Sequence, residues 1–167
     1  ERIYLDNAAT SWPKPEAVYA AVDQYQRHCG AAVGRSATRQ AGEVRRIVDR
    51  CRERAARLLG APSAETINFA FNGTDALNIA LHGVLRPGDH VVTTAIEHNS
   101  VLRPLAALRE RIGIAVTRVP VNPQGLVDPA DIRRSLTPRT TLVAITHASN
   151  VTGAIQPIDA VIELAHR

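Results

Sequence analysis

The sequence predicts an α/β protein, a three-layer arrangement around a mostly parallel sheet that the chain leaves incomplete. Two observations carry that expectation. Short apolar runs rich in Val, Ile and Thr alternate with longer stretches whose apolar residues recur at helical spacing. Strand–helix repetition of this kind implies parallel strands joined by right-handed crossovers. The 167 residues, 45% hydrophobic and 22% charged, are enough for one core or for part of a larger one.

In chain order, an N-terminal arm containing "SWPKP" leads to a helix over 15–28, with Pro15 in its first turn and Val18, Ala21, Val22 and Tyr25 on one face. "CGAAVGRSATRQAG" reads as a loop. Residues 42–59 form an amphipathic helix with Val44, Ile47, Val48, Cys51, Ala55 and Leu58 on one side, stopped by Gly60. "TINFAF" alternates Ile67, Phe69 and Phe71 as a strand does, and "ALNIALHGVL" is helical. "HVVTTA" is a strand after the "RPGD" turn, "SVLRPLAALRERI" a helix despite Pro104, and "IAVTRVPV" a strand. "DPADIRRSL" is a short helix capped by Asp128 with Pro129 at its first position, and "TTLVAITHAS" a further strand. The final apolar pattern, Ile158, Val161, Ile162 and Leu164, suits a helix with no terminator after it, and no initiator Met opens the chain. A fragment of a longer protein is expected, with an arm, helix and loop over 1–40 and the first part of a larger domain over 41–167.

The composition narrows function. No stretch approaches the roughly 20 apolar residues of a membrane span, so a cytoplasmic protein without membrane contact is the default. The net charge of +4 comes almost wholly from arginine, Lys14 being the only lysine. Among the arginines, Arg45, Arg46, Arg50, Arg52, Arg54 and Arg57 interleave with Glu43, Asp49 and Glu53, the pattern of a solvated helix face laced with ion pairs. With 4% aromatic residues, few platforms exist for stacked bases, and no nucleic-acid partner is expected. Cys29 and Cys51 lack metal-like spacing.

In an open parallel sheet, ligands collect beyond the carboxyl ends of the strands. Three predicted strands finish in small polar clusters, "NGTD" at 72–75, "EHNS" at 97–100 and "HASN" at 147–150. In the first, Asn72 caps a helix whose first turn holds Gly73, Thr74 and Asp75, so that unpaired N–H groups and the helix dipole suit a phosphate. Asp75 fits beside an anion only by turning back onto the Asn72 N–H; plain capping without a ligand is the competing account. His98 either serves structure or stacks on a ligand and moves protons, with Asn99 or Ser100 available to cap the following helix. A metal site from His98 and His147 lacks a third ligand of suggestive spacing. Asn150 is either a turn residue or an amide that binds a ligand oxygen. The chain has neither GxGxxG nor GK[ST].

Together, "YLDNAAT", "NGTDALN", "EHNSVLRPL" and "THASNVTG", in that order and spacing, resemble the cysteine desulfurase group of class V aminotransferases from about Ile3 to the last residue. The resemblance implies the large domain of the fold-type I transferases that depend on pyridoxal 5'-phosphate (PLP). It implies a phosphate turn at Gly73 and Thr74, a ring-stacking His98 that assists proton transfer, and Asn150 hydrogen-bonded to the cofactor's phenolic oxygen. Asn7, in "DNAAT", and Arg35, in "VGRS", match elements near the substrate entrance. It further implies a homodimer, cysteine as substrate and a sulfur-acceptor protein.

Other features of the family are not matched. By the resemblance, the lysine that binds the cofactor covalently lies beyond this stretch; the aspartate at the pyridine nitrogen, the arginine for the substrate carboxylate and the sulfur-accepting cysteine are also missing, and neither Lys14 nor the two cysteines match such positions. The segment alone is expected to be inactive. Selenocysteine lyases and other class V members share the motif layout, and a short non-catalytic dimerisation module is the alternative from outside enzymology.

Overall fold

A computed structural model describes residues 3–34 and 37–166. The chain forms two compact units, 1–69 and 70–167.

In the first unit, helix α1 (Glu16–His28) buries none of its residues, although Val18, Val22 and Tyr25 share a face. Pro15 is its N-cap rather than its first residue. Helix α2 (Arg39–Leu59) starts three residues before its predicted position, because the Thr38 hydroxyl accepts the Ala41 N–H at 3.3 Å. Gly60 closes it in the left-handed region, φ 65°. Its charges pair along the surface as expected, Arg39 with Glu43 at 3.1 Å and Arg45 with Asp49 at 3.7 Å. Of its predicted apolar face, Val44 is buried while Leu58 stands in solvent.

Beyond a single 3-10 turn, Ala64–Thr66, the expected strand at 66–71 does not form: residues 67–70 pair with no described strand, and Phe69 and Phe71 are 54% and 93% exposed. Alternation marks a segment fitted to lie on a sheet, but a strand exists only where a neighbour completes the hydrogen-bond ladder.

The second unit is built on one strand. Strands β1 (His90–Thr94), β2 (Ala115–Val119) and β3 (Thr140–Ala144) form a parallel sheet in the order β2–β1–β3. Every residue of β1 is buried, as a central parallel strand covered on both faces must be. Successive side chains alternate between those faces. Val91 packs with Leu81 of helix α3 (Gly73–Val84), with Leu85 just past its end, and with Val101, Leu105 and Leu108 of helix α4 (Asn99–Ile112). Val92 packs with Ile132 of helix α5 (Pro129–Ser135) and Val161 of helix α6 (Ile158–Ala165). Two neighbouring valines thus define the three layers, each contributing about 1.5–3 kcal/mol by burial. Asp128 caps α5 by accepting the Ala130 N–H at 2.8 Å, and Pro129 occupies its first turn, as the sequence predicts.

Two polar residues fasten the sheet at its ends. At the amino end, the His90 ring bridges the flanking strands, Nδ1 to Thr140 Oγ1 and Nε2 to Thr117 Oγ1, both at 2.8 Å. At the carboxyl end, the buried Glu97 accepts from the Thr94 hydroxyl at 2.7 Å and from the Thr146 N–H at 2.9 Å, both on Oε1. Ala95 N–H donates to the Val119 carbonyl at 2.9 Å, so the ends of all three strands are stitched together.

Burial, and then the positive charge of Arg139, hold the His90 imidazolium below its ordinary range. An unfolded histidine takes up a proton near about pH 6.5, whereas the folded one resists until lower pH. Stability from this site is therefore complete above that value and is lost as pH falls through the lowered folded one. Urea midpoints between neutral pH and about pH 5 are expected to decline less steeply in His90→Gln than in wild type; parallel declines would contradict the assignment. At the other end, Glu97→Ala strands two donors and is expected to cost about 2–4 kcal/mol in urea unfolding. Glu97→Gln keeps an oxygen for both bonds and is expected to cost about 1 kcal/mol or less.

Candidate active site

Helix α3 runs into β1 and helix α4 runs out of it, so both begin at the carboxyl edge of the sheet. At the mouth of α3 the Asn72 side chain accepts the Asp75 N–H at 2.9 Å. The Asp75 carboxylate turns back, as the anion reading requires, but it reaches the Phe71 N–H at 3.1 Å rather than the expected Asn72 N–H. One residue further upstream is the donor that the extended Asn72 backbone leaves facing the carboxylate. The result is the same electrostatically: the negative charge is drawn behind the turn. The N–H groups of Gly73 and Thr74 remain without an intrahelical acceptor. A Cβ on Gly73 would meet nothing within 4 Å, so the space above these donors is open.

At the mouth of α4 the cap is His98 itself, not Asn99 or Ser100. Its Nδ1 accepts the Ser100 N–H at 3.1 Å. An imidazole nitrogen two residues upstream does here what an Asn or Ser oxygen usually does, and Ser100 is freed for another task. Its hydroxyl lies 2.5 Å from His98 Nδ1 and 3.1 Å from Thr74 Oγ1. Thr74 and His98, 24 positions apart, are thereby one hydroxyl away from each other. They line a groove between α3 and α4 that also receives Asn78, His82, Arg103 and Arg111. Among the described residues no acidic side chain lines it, which suits an anionic ligand.

Asn150 sits on the same edge, past the end of β3, but makes no described contact with Thr74 or His98. It heads a tight loop in which Ala148 and Ile155 bridge antiparallel and Gly153, at φ 73°, donates its N–H to the Ser149 carbonyl at 2.9 Å. Its exposed side chain has no hydrogen bond within the described residues. Asn7 belongs to the first unit, where its Oδ1 accepts the Trp12 N–H at 3.2 Å. Arg35 lies outside the described residues. Among those described, no cluster of three or more His, Cys, Asp or Glu side chains is arranged to hold a metal ion, and no helix is long and apolar enough to cross a membrane. Cys29 is half-buried and Cys51 exposed, both as free thiols.

Two residues of this rim carry no role in the sequence reading. Ser100 was visible only as a capping candidate, and Glu97 only as a member of a polar cluster. A buried acid just past a strand end, beside two threonines, was the available signal for the second.

The geometry fits PLP in its anionic part: two open N–H donors, a hydroxyl and a withdrawn carboxylate form a cradle for a phosphate, with an imidazole at its side. The chain spans 98% of its length in a likeness to the cysteine desulfurase IscS of Dictyoglomus turgidum, at 36% identity and 41% of that protein's length. Among solved structures, the apo cysteine desulfurase from Thermococcus onnurineus NA1 superposes with a TM-score of 0.89 at 30% identity, over 98% of this chain and 41% of that one. A structure of SspA in complex with cysteine gives 0.88 at 28% identity, over 98% and 47%. The chain therefore spans about two-fifths of the length of such relatives. The aminotransferase class-V family model matches residues 3–167, and the chain belongs to that family.

Proposed function

We propose that this chain is the N-terminal, cofactor-holding part of a PLP-dependent cysteine desulfurase, the arm, helix and loop over 1–40 leading into a large domain that begins at 41. In that reading the whole protein converts cysteine to alanine and leaves the sulfur on an enzyme thiol as a persulfide. The observation that carries it is the single rim on which the open first turn of α3 and the His98 ring are joined through one hydroxyl.

Bound PLP would supply an electron-withdrawing ring that acidifies the substrate's Cα–H and makes its Cβ–S bond labile. The residues of this chain hold and orient it. Gly73 and Thr74 donate their N–H groups, and Thr74 its hydroxyl, to the phosphate. His98 would stack on the ring and would take or give a proton at Nε2, the nitrogen its capping role leaves free. The Asn150 amide donates to the phenolic oxygen. Asn7 and Arg35 serve the substrate side. The desulfurase names of the relatives and the cysteine in the SspA structure support this substrate. Apolar side chains left in solvent, Ile79 and Val84 on α3 among them, support a homodimer, and the reading takes the enzyme as cytoplasmic and passing its sulfur to an acceptor protein.

The intact protein, titrated with PLP, is expected to show the absorbance of bound cofactor and to release alanine and sulfide in equal amounts from cysteine under reducing conditions. Thr74→Val is expected to weaken PLP binding by roughly tenfold to a hundredfold, the loss of one charge-assisted hydrogen bond. A spectrum of free cofactor alone, or turnover of another amino acid without sulfide, would overturn the reading.

A further inference from the structure

The contacts of Ser100 have a direction. Its backbone N–H donates to His98 Nδ1 at 3.1 Å, so that nitrogen bears a lone pair and the neutral ring keeps its proton on Nε2. A hydroxyl 2.5 Å from a lone pair must donate to it, since two lone pairs at that distance repel. Having one hydrogen only, Ser100 Oγ can then meet Thr74 Oγ1, at 3.1 Å, solely as acceptor. The chain runs from Thr74 through Ser100 to His98. Ser100 is only 7% exposed, so little water competes for either bond. Thr74 and His98, its two partners, both face the groove.

We propose that Ser100 is a positioning residue that locks His98 as the Nε2–H tautomer and reports to it whether the anion cradle is filled. The proposal rests on the PLP reading of this rim. When a phosphate group occupies the cradle, the Thr74 hydroxyl turns to donate to it. Ser100 then loses the donor behind it, and its own donation into Nδ1 weakens, because a hydrogen bond in a chain is strengthened by its predecessor. Filling the cradle is thus felt at the ring that lies beside the ligand, without movement of the backbone.

The test is nitrogen-15 NMR of histidine in the intact protein without cofactor, at about pH 8, above the ordinary histidine range. The His98 signals are assigned by their loss in His98→Gln. Wild type is expected to show a protonated Nε2 and an Nδ1 resonance displaced as a hydrogen-bonded acceptor. Ser100→Ala should move Nδ1 towards the unbonded position, and Ser100→Thr should restore it. Thr74→Val should move it the same way by less, and this variant keeps the question open to decision if Ser100→Ala does not fold. Inorganic phosphate at saturation should shift Nδ1 in wild type and leave it fixed in Ser100→Ala. A protonated Nδ1 in wild type overturns the proposal, as does an Nδ1 resonance indifferent to both substitutions or to phosphate. Ser100→Ala that lowers only the urea midpoint overturns it too, since that is what a purely structural hydroxyl would do. If the histidine signals behave as stated but PLP does not bind, the cofactor reading fails and the hydrogen-bond chain stands.

Discussion

Strand β1 is the constraint on which the rest of the second unit depends. Among the described residues it supplies the only partner for each neighbouring strand, and its two faces hold the two hydrophobic clusters. Because both pairings are parallel, the strands finish at one edge, and the helices entering and leaving β1 open there as well. Glu97 converts this shared direction into fixed distance by joining the end of β1 to the segment that follows β3. A slip of one residue in β1 would exchange Val91 and Val92 between the faces and break both clusters at once. The rim's geometry is therefore as well defined as the core itself.

Helix capping and ligand binding draw on the same orphan N–H groups, and the rim divides them. Asn72 satisfies the third donor of α3 and Asp75 reaches behind the turn, so the first two donors stay available. At α4 the cap is an imidazole, which has two nitrogens of opposite character when neutral. Using Nδ1 as the cap leaves Nε2 protonated and unspent. An Asn or Ser in the same place would cap as well but would leave nothing suited to proton transfer near neutral pH. The cap of α4 and the chemistry of the rim are thus one choice of residue.

Periodicity and capping chemistry made most elements legible: the strands at 90–94 and 115–119 and the Asp128–Pro129 start of α5 lie where the pattern puts them, and β3 starts as predicted at Thr140 but ends at Ala144, five residues short of the predicted strand. What failed to read correctly depended on partners. The alternation at 66–71 is genuine, but alternation says only which faces a strand would have, not whether a neighbour pairs with it. Leu58 keeps helical phase with Val44 and yet lies in solvent, because phase does not supply a surface to pack on. At the rim, Thr74 and His98 were recognisable from motif and topology, whereas the link between them was not. Ser100 has an ordinary identity and an ordinary position, and its role arises only when α3 and α4 lie side by side. Asn150 shares the edge by topology, but the loop around it is folded on itself.

The two histidines at the opposite ends of β1, His90 within it and His98 just past it, show how strongly position governs an ionisable group. His90 opens the strand, where each ring nitrogen meets a threonine hydroxyl from a different neighbouring strand. Nothing about it is free: burial and Arg139 favour the neutral ring, and its work is to hold three strands at the end remote from the rim. His98 follows the strand by four residues. One nitrogen is tied to the first turn of α4, and the other is left in an exposed groove. Composition and spacing treat the two alike, as single histidines beside an apolar run. Strand direction separates them, since only the carboxyl end of a parallel strand meets helix N-termini, with their positive dipole ends and open donors. A histidine placed there stands beside open backbone N–H donors; the same residue at the opposite end can only be part of the frame.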